Sequence, residues 1–275
     1  MIALTLYSVF LSALPVAAAS GPTATEIVRY GEEVLRGRST QAAMVMIIRK
    51  PDFTRRLTLR SWTSGPQQAL VEILAPAKEA GISSLRVEGQ MWNYLPRTDQ
   101  VIRVPTSLML QSWMGSDFTN DDLMRTSSLG RDYAHKTVRV DGKGRNRVTL
   151  IQCRPKPGAP VVWGKVLYWA RTRDRLPVRQ AYYDERGKWV RTIEYSKFRK
   201  MDDRVVPTVI TVRVAENSRQ STTITYRKLL YDRAIDDAVF SQDLLRRNAQ
   251  NGKFLGEGWS VQPIAGTLHL ATRRR

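Results

Sequence analysis

In "MVMIIRKPDFTRRLTLR", Met44 to Arg60, the chain settles into a two-residue period. Met44, Met46 and Ile48 alternate with Val45 and Ile47; after the turn-forming KPDF, Leu57 and Leu59 alternate with Arg56, Thr58 and Arg60. Successive side chains of a strand point to opposite faces, so this spacing predicts two strands joined as a hairpin. The residues before it follow another period. In TATEIVRYGEEVLRG, Thr23 to Gly37, the apolar Ile27, Tyr30, Val34 and Leu35 fall near one helical face, with Thr25 as a cap and Gly37 as a stop.

The alternation then recurs in QQALVEILAP, SSLRVEG, QMWNYLP and QVIRVP, and, after an interruption, in AHKTVRVDG, NRVTLIQC, GKVLYWARTR, LPVRQAYYDERG, WVRTIEYSKF, VVPTVITVRV and STTITYRKLLYD. Roughly a dozen short strands, most followed by a Gly, Pro, Asp or Asn turn, specify a large antiparallel sheet. Apolar residues dominate one side of most strands and Arg, Lys, Gln or Thr the other. A sheet this wide must curl, into a barrel or into an open half-barrel whose apolar concave side needs a cover. Three segments can supply one: the helix at Thr25 to Gly37, the interrupting stretch QSWMGSDFTNDDLMR (Gln111 to Arg125), and the C-terminal IDDAVFSQDLLRR, where Phe240, Leu244 and Leu245 suggest a short helix. The fold class is α+β, mainly antiparallel β, as one domain over 20–247 with a polar tail at 248–275.

The first residues, MIALTLYSVFLSALPVAAAS, have the form of a signal peptide covering 1–19, with Ala17-Ala18-Ala19 as the cleavage site. Export to the periplasm is the expectation. The chain of 275 residues carries 44 Lys and Arg against 25 Asp and Glu, a formal net charge of +19. Such a balance attracts polyanions. For an exported protein these are an anionic membrane surface or an envelope transporter; nucleic acid is not an expected partner, because the charges are scattered singly through strands. The single cysteine, Cys153, excludes an intramolecular disulfide, and its place in an alternating strand reads as a buried, inert thiol.

No G-x-S-x-G, H-E-x-x-H, C-x-x-C or P-loop spacing occurs. The two histidines, His135 and His269, read as surface residues rather than general bases. Asp117, Asp121 and Asp122 fit no calcium-loop template; TNDD, Thr119 to Asp122, reads as a helix cap with acidic residues at the positive end of the dipole. No metal, cofactor or catalytic group is expected. Aromatic and basic residues interleave in WARTRD and YYDERGKW, as they do on single-stranded nucleic-acid-binding sheets, but inside-outside alternation gives the same pattern.

At ILAPAKEAGISSLRVEGQMWNYLP, followed by RVPTSLMLQSWMGSDFTNDDLMR, the chain resembles the outer membrane lipoprotein-sorting protein family, exported bacterial proteins similar to LolA and LolB. The resemblance runs from about Thr25 to Leu245. It implies a half-open, unclosed β-barrel with covering helices and a hydrophobic cavity for the acyl chain of a lipid or lipoprotein. On that reading Gln111 to Arg125 is a lid bent at Gly115: Trp113, Met114, Phe118 and Leu123 point into the cavity, while Asp117, Asn120, Asp121 and Asp122 face water. The alternative is that the same aromatics merely plug a small core; the mobile Gly, Ser, Asn and Asp around them favour the lid. Strand alternation nominates Met44, Met46, Leu57, Leu59, Val71, Ile73, Trp92 and Tyr94 as the wall. A long acyl chain crossing water unaided faces a barrier of about 10 kcal/mol at roughly 0.8 kcal/mol per methylene, which a cavity removes. The expected function is a non-enzymatic carrier moving acyl cargo between envelope components. A lipid-sensing adaptor for an envelope protein partner or exporter is the alternative, and a lipid esterase lacks a nucleophile and base.

Overall fold

The computed structural model of the chain describes residues 21–124, 128–217 and 219–251, apart from the side chains of 123, 124 and 247–251. The signal peptide expected at 1–19, His269 and most of the tail lie outside the described residues.

Helix α1 (Ala24–Arg36) opens with a capping box: the Thr23 hydroxyl accepts from the Glu26 amide, and the Glu26 carboxylate accepts from the Thr23 amide at 2.8 Å. The cap is therefore Thr23 and not Thr25. The reciprocal bond needs Glu three residues after the cap, and Thr25 already lies inside the helix, with its hydroxyl 3.0 Å from His135 Nδ1. Ile27, Val28 and Gly31 form the buried face. Tyr30 stands to the side of it, with the Arg175 guanidinium 3.8 Å from its ring. Gly37, at φ +62°, ends the helix in a conformation few other residues adopt.

Thirteen strands follow in one sheet: β1 (Ser39–Arg49), β2 (Thr54–Ser64), β3 (Gln68–Ala75), β4 (Ser83–Val87), β5 (Gln90–Leu95), β6 (Gln100–Val104), β7 (Tyr133–Asp141), β8 (Val148–Pro155), β9 (Lys165–Arg171), β10 (Pro177–Tyr183), β11 (Trp189–Met201), β12 (Arg204–Val214) and β13 (Ser221–Tyr231). All the pairings are antiparallel, and the hairpin that set the period is present, with Met46 opposite Leu57 and Met44 opposite Leu59. The order across the sheet is β6-β5-β4-β3-β2-β1-β13-β12-β11-β10-β9-β8-β7. The first and last strands pair at its centre, and the edges are β6 and β7, neighbours in sequence. They do not pair with each other, so the barrel stays open.

The described part of the connection from β6 to β7 carries four short helical turns: 3₁₀ turns at Thr106–Leu108 and Trp113–Gly115, α2 (Asn120–Met124) and α3 (Leu129–Asp132). Its aromatics enter the large apolar cluster on the concave face, which also holds Ile27 and Val28 of α1. Each such side chain removed from water contributes roughly 1.5–3 kcal/mol, which fixes α1 across the sheet.

A second cluster occupies the other face of β2 to β5. Trp62, Leu70, Leu85 and Tyr94 pack there under Val239, Phe240 and Leu245, from the 3₁₀ turn Asp237–Phe240 and helix α4 (Gln242–Asn251). The C-terminal segment thus covers the convex side, not the concave one. This corrects the expectation that the C-terminal segment covers the concave side: at β2 to β5 both faces are apolar, because both are covered. Elsewhere the outer face is cationic and aromatic, with Arg179 5.1 Å from the Trp169 ring and Lys165 4.0 Å from that of Tyr183. The interleaving in WARTRD and YYDERGKW is this alternation seen from outside.

Candidate ligand cavity

The concave face keeps a hollow of about 270 Å³, bounded by α1, by the β6–β7 connection and by β1 to β4, β7 and β9 to β13. Its apolar wall includes Met44, Met46, Leu59, Val71, Ile210 and Ile224, with Trp113 and Phe118 entering from the connection. Of the residues nominated from the sequence, these first four strand positions and the two aromatics border the hollow. Leu57 and Ile73 are fully buried in the same apolar cluster without bordering it. Met114 packs on the cluster at its edge, at φ +49° next to Gly115 at φ +75°, where the connection bends. The Leu123 side chain lies outside the described residues.

Trp92 and Tyr94 are placed elsewhere. In β5 it is Met91 that joins the concave cluster, so the pleat sends Trp92 and Tyr94 to the convex face, where they pack under the C-terminal helix and the Tyr94 hydroxyl donates to Asp99 at 3.0 Å. The large aromatics had suggested a core-facing phase; a one-residue difference in phase moves both away from the cavity.

The connection is seated by polar groups as much as by apolar ones. Trp113, 1 % exposed, donates its indole N–H to Ser84 Oγ at 2.9 Å. The Asp117 carboxylate accepts from Lys50 Nζ at 2.7 Å and from Thr222 Oγ1 at 2.8 Å, and the Asp117 amide donates to that same Oγ1. Arg55 donates to the Met114 carbonyl at 2.7 Å and pairs with Glu79. Asn120 donates its side-chain amide to the Leu108 carbonyl at 2.9 Å. Asp122 receives a two-pronged bond from Arg191 of β11, at 2.5 and 2.7 Å, while Thr119 caps α2 through its hydroxyl and amide.

These contacts overturn the expectation that Asp117, Asn120, Asp121 and Asp122 face water. Asp117 and Asn120 are 8 % exposed, Asp121 and Asp122 border the hollow, and only the capping role of TNDD stands as read. The reason is that the sheet supplies cations on its inner side. Burial alone would raise the Asp122 carboxyl, but the charge and hydrogen bonds of Arg191, aided by Thr119, hold it below the ordinary carboxylate range. Burial likewise disfavours the Arg191 cation, and Asp122 more than offsets this. The guanidinium lies 4.8 Å from the rings of both Trp163 and Tyr182.

Sequence reasoning missed these polar wall residues: Arg191, Gln180, Tyr133, Tyr168 and Tyr182 all border the hollow. The signal that could have found them is phase, since Tyr182 pairs with Arg191 across β10 and β11 on the same inner face. His135 is half-buried rather than a surface residue; it ties α1 to the Leu129 carbonyl at 2.8 Å, and burial lowers its pKa. Cys153 is buried, which pushes its thiol up to about 12. Glu32 of α1 accepts from the amides of Leu129 and Gly130 and from the Ser128 hydroxyl, joining helix and connection beside the hollow.

A family model described only as uncharacterized protein-like matches residues 65–247. No curated protein matches the sequence. Among solved structures, the chain is similar to a DUF1329 family protein from Desulfovibrio piger (21 % identity, TM-score 0.72, covering 81 % of this chain and 97 % of that one). It is similar to an outer membrane lipoprotein-sorting protein domain from Vibrio parahaemolyticus (18 %, TM-score 0.69, 82 % and 98 %). It is also similar to a LolA superfamily protein from Nitrosomonas europaea (22 %, TM-score 0.68, 81 % and 99 %). At these identities the likeness shows the fold, an open antiparallel sheet with few helices. The chain belongs to the family whose model it matches, and it has the LolA-like fold of the lipoprotein-sorting proteins.

Proposed function

We propose that this protein is a non-enzymatic periplasmic carrier that takes acyl chains of a lipid or lipoprotein into the concave hollow and transfers them between envelope components. The observation that carries the reading is a hollow walled by Met44, Met46, Leu59 and Val71 and entered by Trp113 and Phe118 on a connection that is not itself part of the sheet. At about 270 Å³ it lies just below the size usual for small-molecule sites. Withdrawal of the two aromatics enlarges it, and methionine side chains adapt to cargo of varied shape. The segment from Gln111 to Arg125 is then a lid, held shut by the Arg191–Asp122 pair and by Trp113.

The outer cations suit an anionic membrane or an acidic partner at loading and release. Export depends on the apolar N-terminal run.

The test is native mass spectrometry of protein purified from a bacterial envelope, with binding of a fluorescent fatty acid. A co-purified lipid and fatty-acid binding weakened by Trp113→Ala with Phe118→Ala are expected. Absence of both bound lipid and fatty-acid binding would overturn the reading. Cross-linking separates the carrier from an adaptor: transient donor and acceptor contacts are expected, and one stable stoichiometric partner would favour the adaptor.

A further inference from the structure

The hollow is apolar over most of its wall but not at several side chains of β7, β9 and β11. Tyr133 and Tyr168 border it there, 1 % and 0 % exposed, and no described residue offers either hydroxyl a hydrogen-bond partner. Arg191 Nε is in the same position, although the terminal nitrogens of that guanidinium hold Asp122. The Tyr168 hydroxyl is aimed beneath α1 at Gly31, another wall residue, where a Cβ would stand 2.2 Å from the oxygen. Burial raises both phenols, so they remain O–H groups at physiological pH. Buried donors without acceptors are costly and rare in native proteins. Three around one hollow call for acceptor oxygens on whatever enters.

Charge decides between an anionic and a neutral acceptor. Although the chain carries +19, the ionisable wall residues balance: Glu32, Asp121 and Asp122 against Arg36, Arg86 and Arg191. The charge of Arg191 is already met by Asp122, so these donors offer hydrogen bonds but no net attraction for an anion. We infer that the hollow takes the ester linkages of an acyl lipid, with Tyr133, Tyr168 and Arg191 Nε as donors to ester oxygens and the hydrocarbon against Met44 and Met46. This rests on the carrier reading and adds the chemistry of the cargo to it.

The experiment is displacement of a fluorescent fatty acid from the full chain by tetradecane, methyl myristate and myristate. Methyl myristate is expected to displace it at about tenfold lower concentration than tetradecane, and at least as well as myristate. Tyr133→Phe with Tyr168→Phe should narrow the ester's advantage to about twofold while leaving tetradecane unchanged, which also reports an intact cavity. Tyr168→Phe alone, which removes a hydroxyl bonded to no described residue, serves as a second variant if the double one fails to fold. Equal displacement by ester and alkane, or an advantage that survives the substitutions, overturns the ester assignment alone; the hydroxyls then face only ordered water. Stronger displacement by myristate than by its ester overturns the neutral-acceptor assignment. No displacement by any of the three overturns the carrier reading and the ester assignment with it.

Discussion

Arg191→Met tests whether the β6–β7 connection is held as a unit by one ion pair. Methionine keeps the length of the side chain and its contact with Trp163 and Tyr182 but leaves the Asp122 carboxylate without its counter-ion. Removing one partner of a buried pair costs about 3–5 kcal/mol, and the lower end applies here because the Asp122 side chain is 16 % exposed against 4 % for Arg191. If that loss falls on the connection alone, about 3 kcal/mol raises its open population roughly 100-fold at 1.4 kcal/mol per decade. Hydrogen exchange reads this directly. The Asp117 amide, which donates to Thr222 of β13, and the Trp113 indole, which donates to Ser84 of β4, should exchange about 100-fold faster. Amides of the β11–β12 ladder should keep their rates. Arg191→Met combined with Asp122→Leu removes both charges and should restore protection. Two results would refute the reasoning: unchanged exchange at Asp117 and Trp113, or acceleration of the strand ladder by the same factor, which would make the pair a support of the whole sheet.

Acid should act in the same direction. The Asp122 carboxyl is depressed in the folded protein, so its contribution is present above the ordinary aspartate range near 4 and lost as pH falls through the lowered value; protection at Asp117, the exchange rate relative to its intrinsic rate at each pH, should then fall in wild type but not in Arg191→Met with Asp122→Leu. Glu72 has the opposite sign. Burial raises its carboxyl to about 7 despite Arg60, so the folded state holds the proton longer and stability falls between about pH 4.5 and 7. Glu72→Gln should remove that decline, at most about 3 kcal/mol, in urea unfolding compared at pH 5 and pH 8. Gly31→Ala should destabilise by about 1–3 kcal/mol, because the new Cβ meets the Tyr168 hydroxyl, whereas Cζ behind it is 3.5 Å away. Tyr168→Phe should therefore rescue it, and failure to do so in thermal unfolding would show that α1 docks differently. Phe240→Ala should cost about 3–5 kcal/mol of stability yet leave fatty-acid affinity within about twofold, because the convex cluster does not touch the hollow.

The strands were legible because alternation is local: pleat and turn chemistry specify β1 to β13 without reference to anything distant. What alternation does not show is which face is covered. In β5 Met91 and Asn93 share one face and Trp92 and Tyr94 the other, and either face could be read as the inner one until the C-terminal helix is known to lie across the convex side. The acidic residues of the connection misled for a related reason. A carboxylate in a polar loop normally faces water, and only the tertiary pairing of residues far apart in sequence, Asp117 with Lys50 and Asp122 with Arg191, makes burial affordable. Gly31 carried a readable hint, since a glycine in mid-helix lowers helical propensity and asks for a close neighbour.

The strand order explains why the mouth has a cover at all. With β1 and β13 paired at the centre, the two edges β6 and β7 are consecutive in the chain. A hairpin turn between them would pair them and close the barrel; every other two strands consecutive in the chain do pair. Instead, the chain from Pro105 to Asp132 runs between the edges, places Trp113 and Phe118 inside, and leaves Ile102 of β6 and Val138 and Val140 of β7 exposed. An unpaired edge is a liability that proteins usually remove. Here the same residues that prevent closure also fill the mouth, so the open edge and the covered hollow are two consequences of one connection. Polar bonds rather than pairing with an edge strand hold that connection to the sheet, and on the carrier reading proposed above this is what would let access to the hollow change while the sheet stays whole.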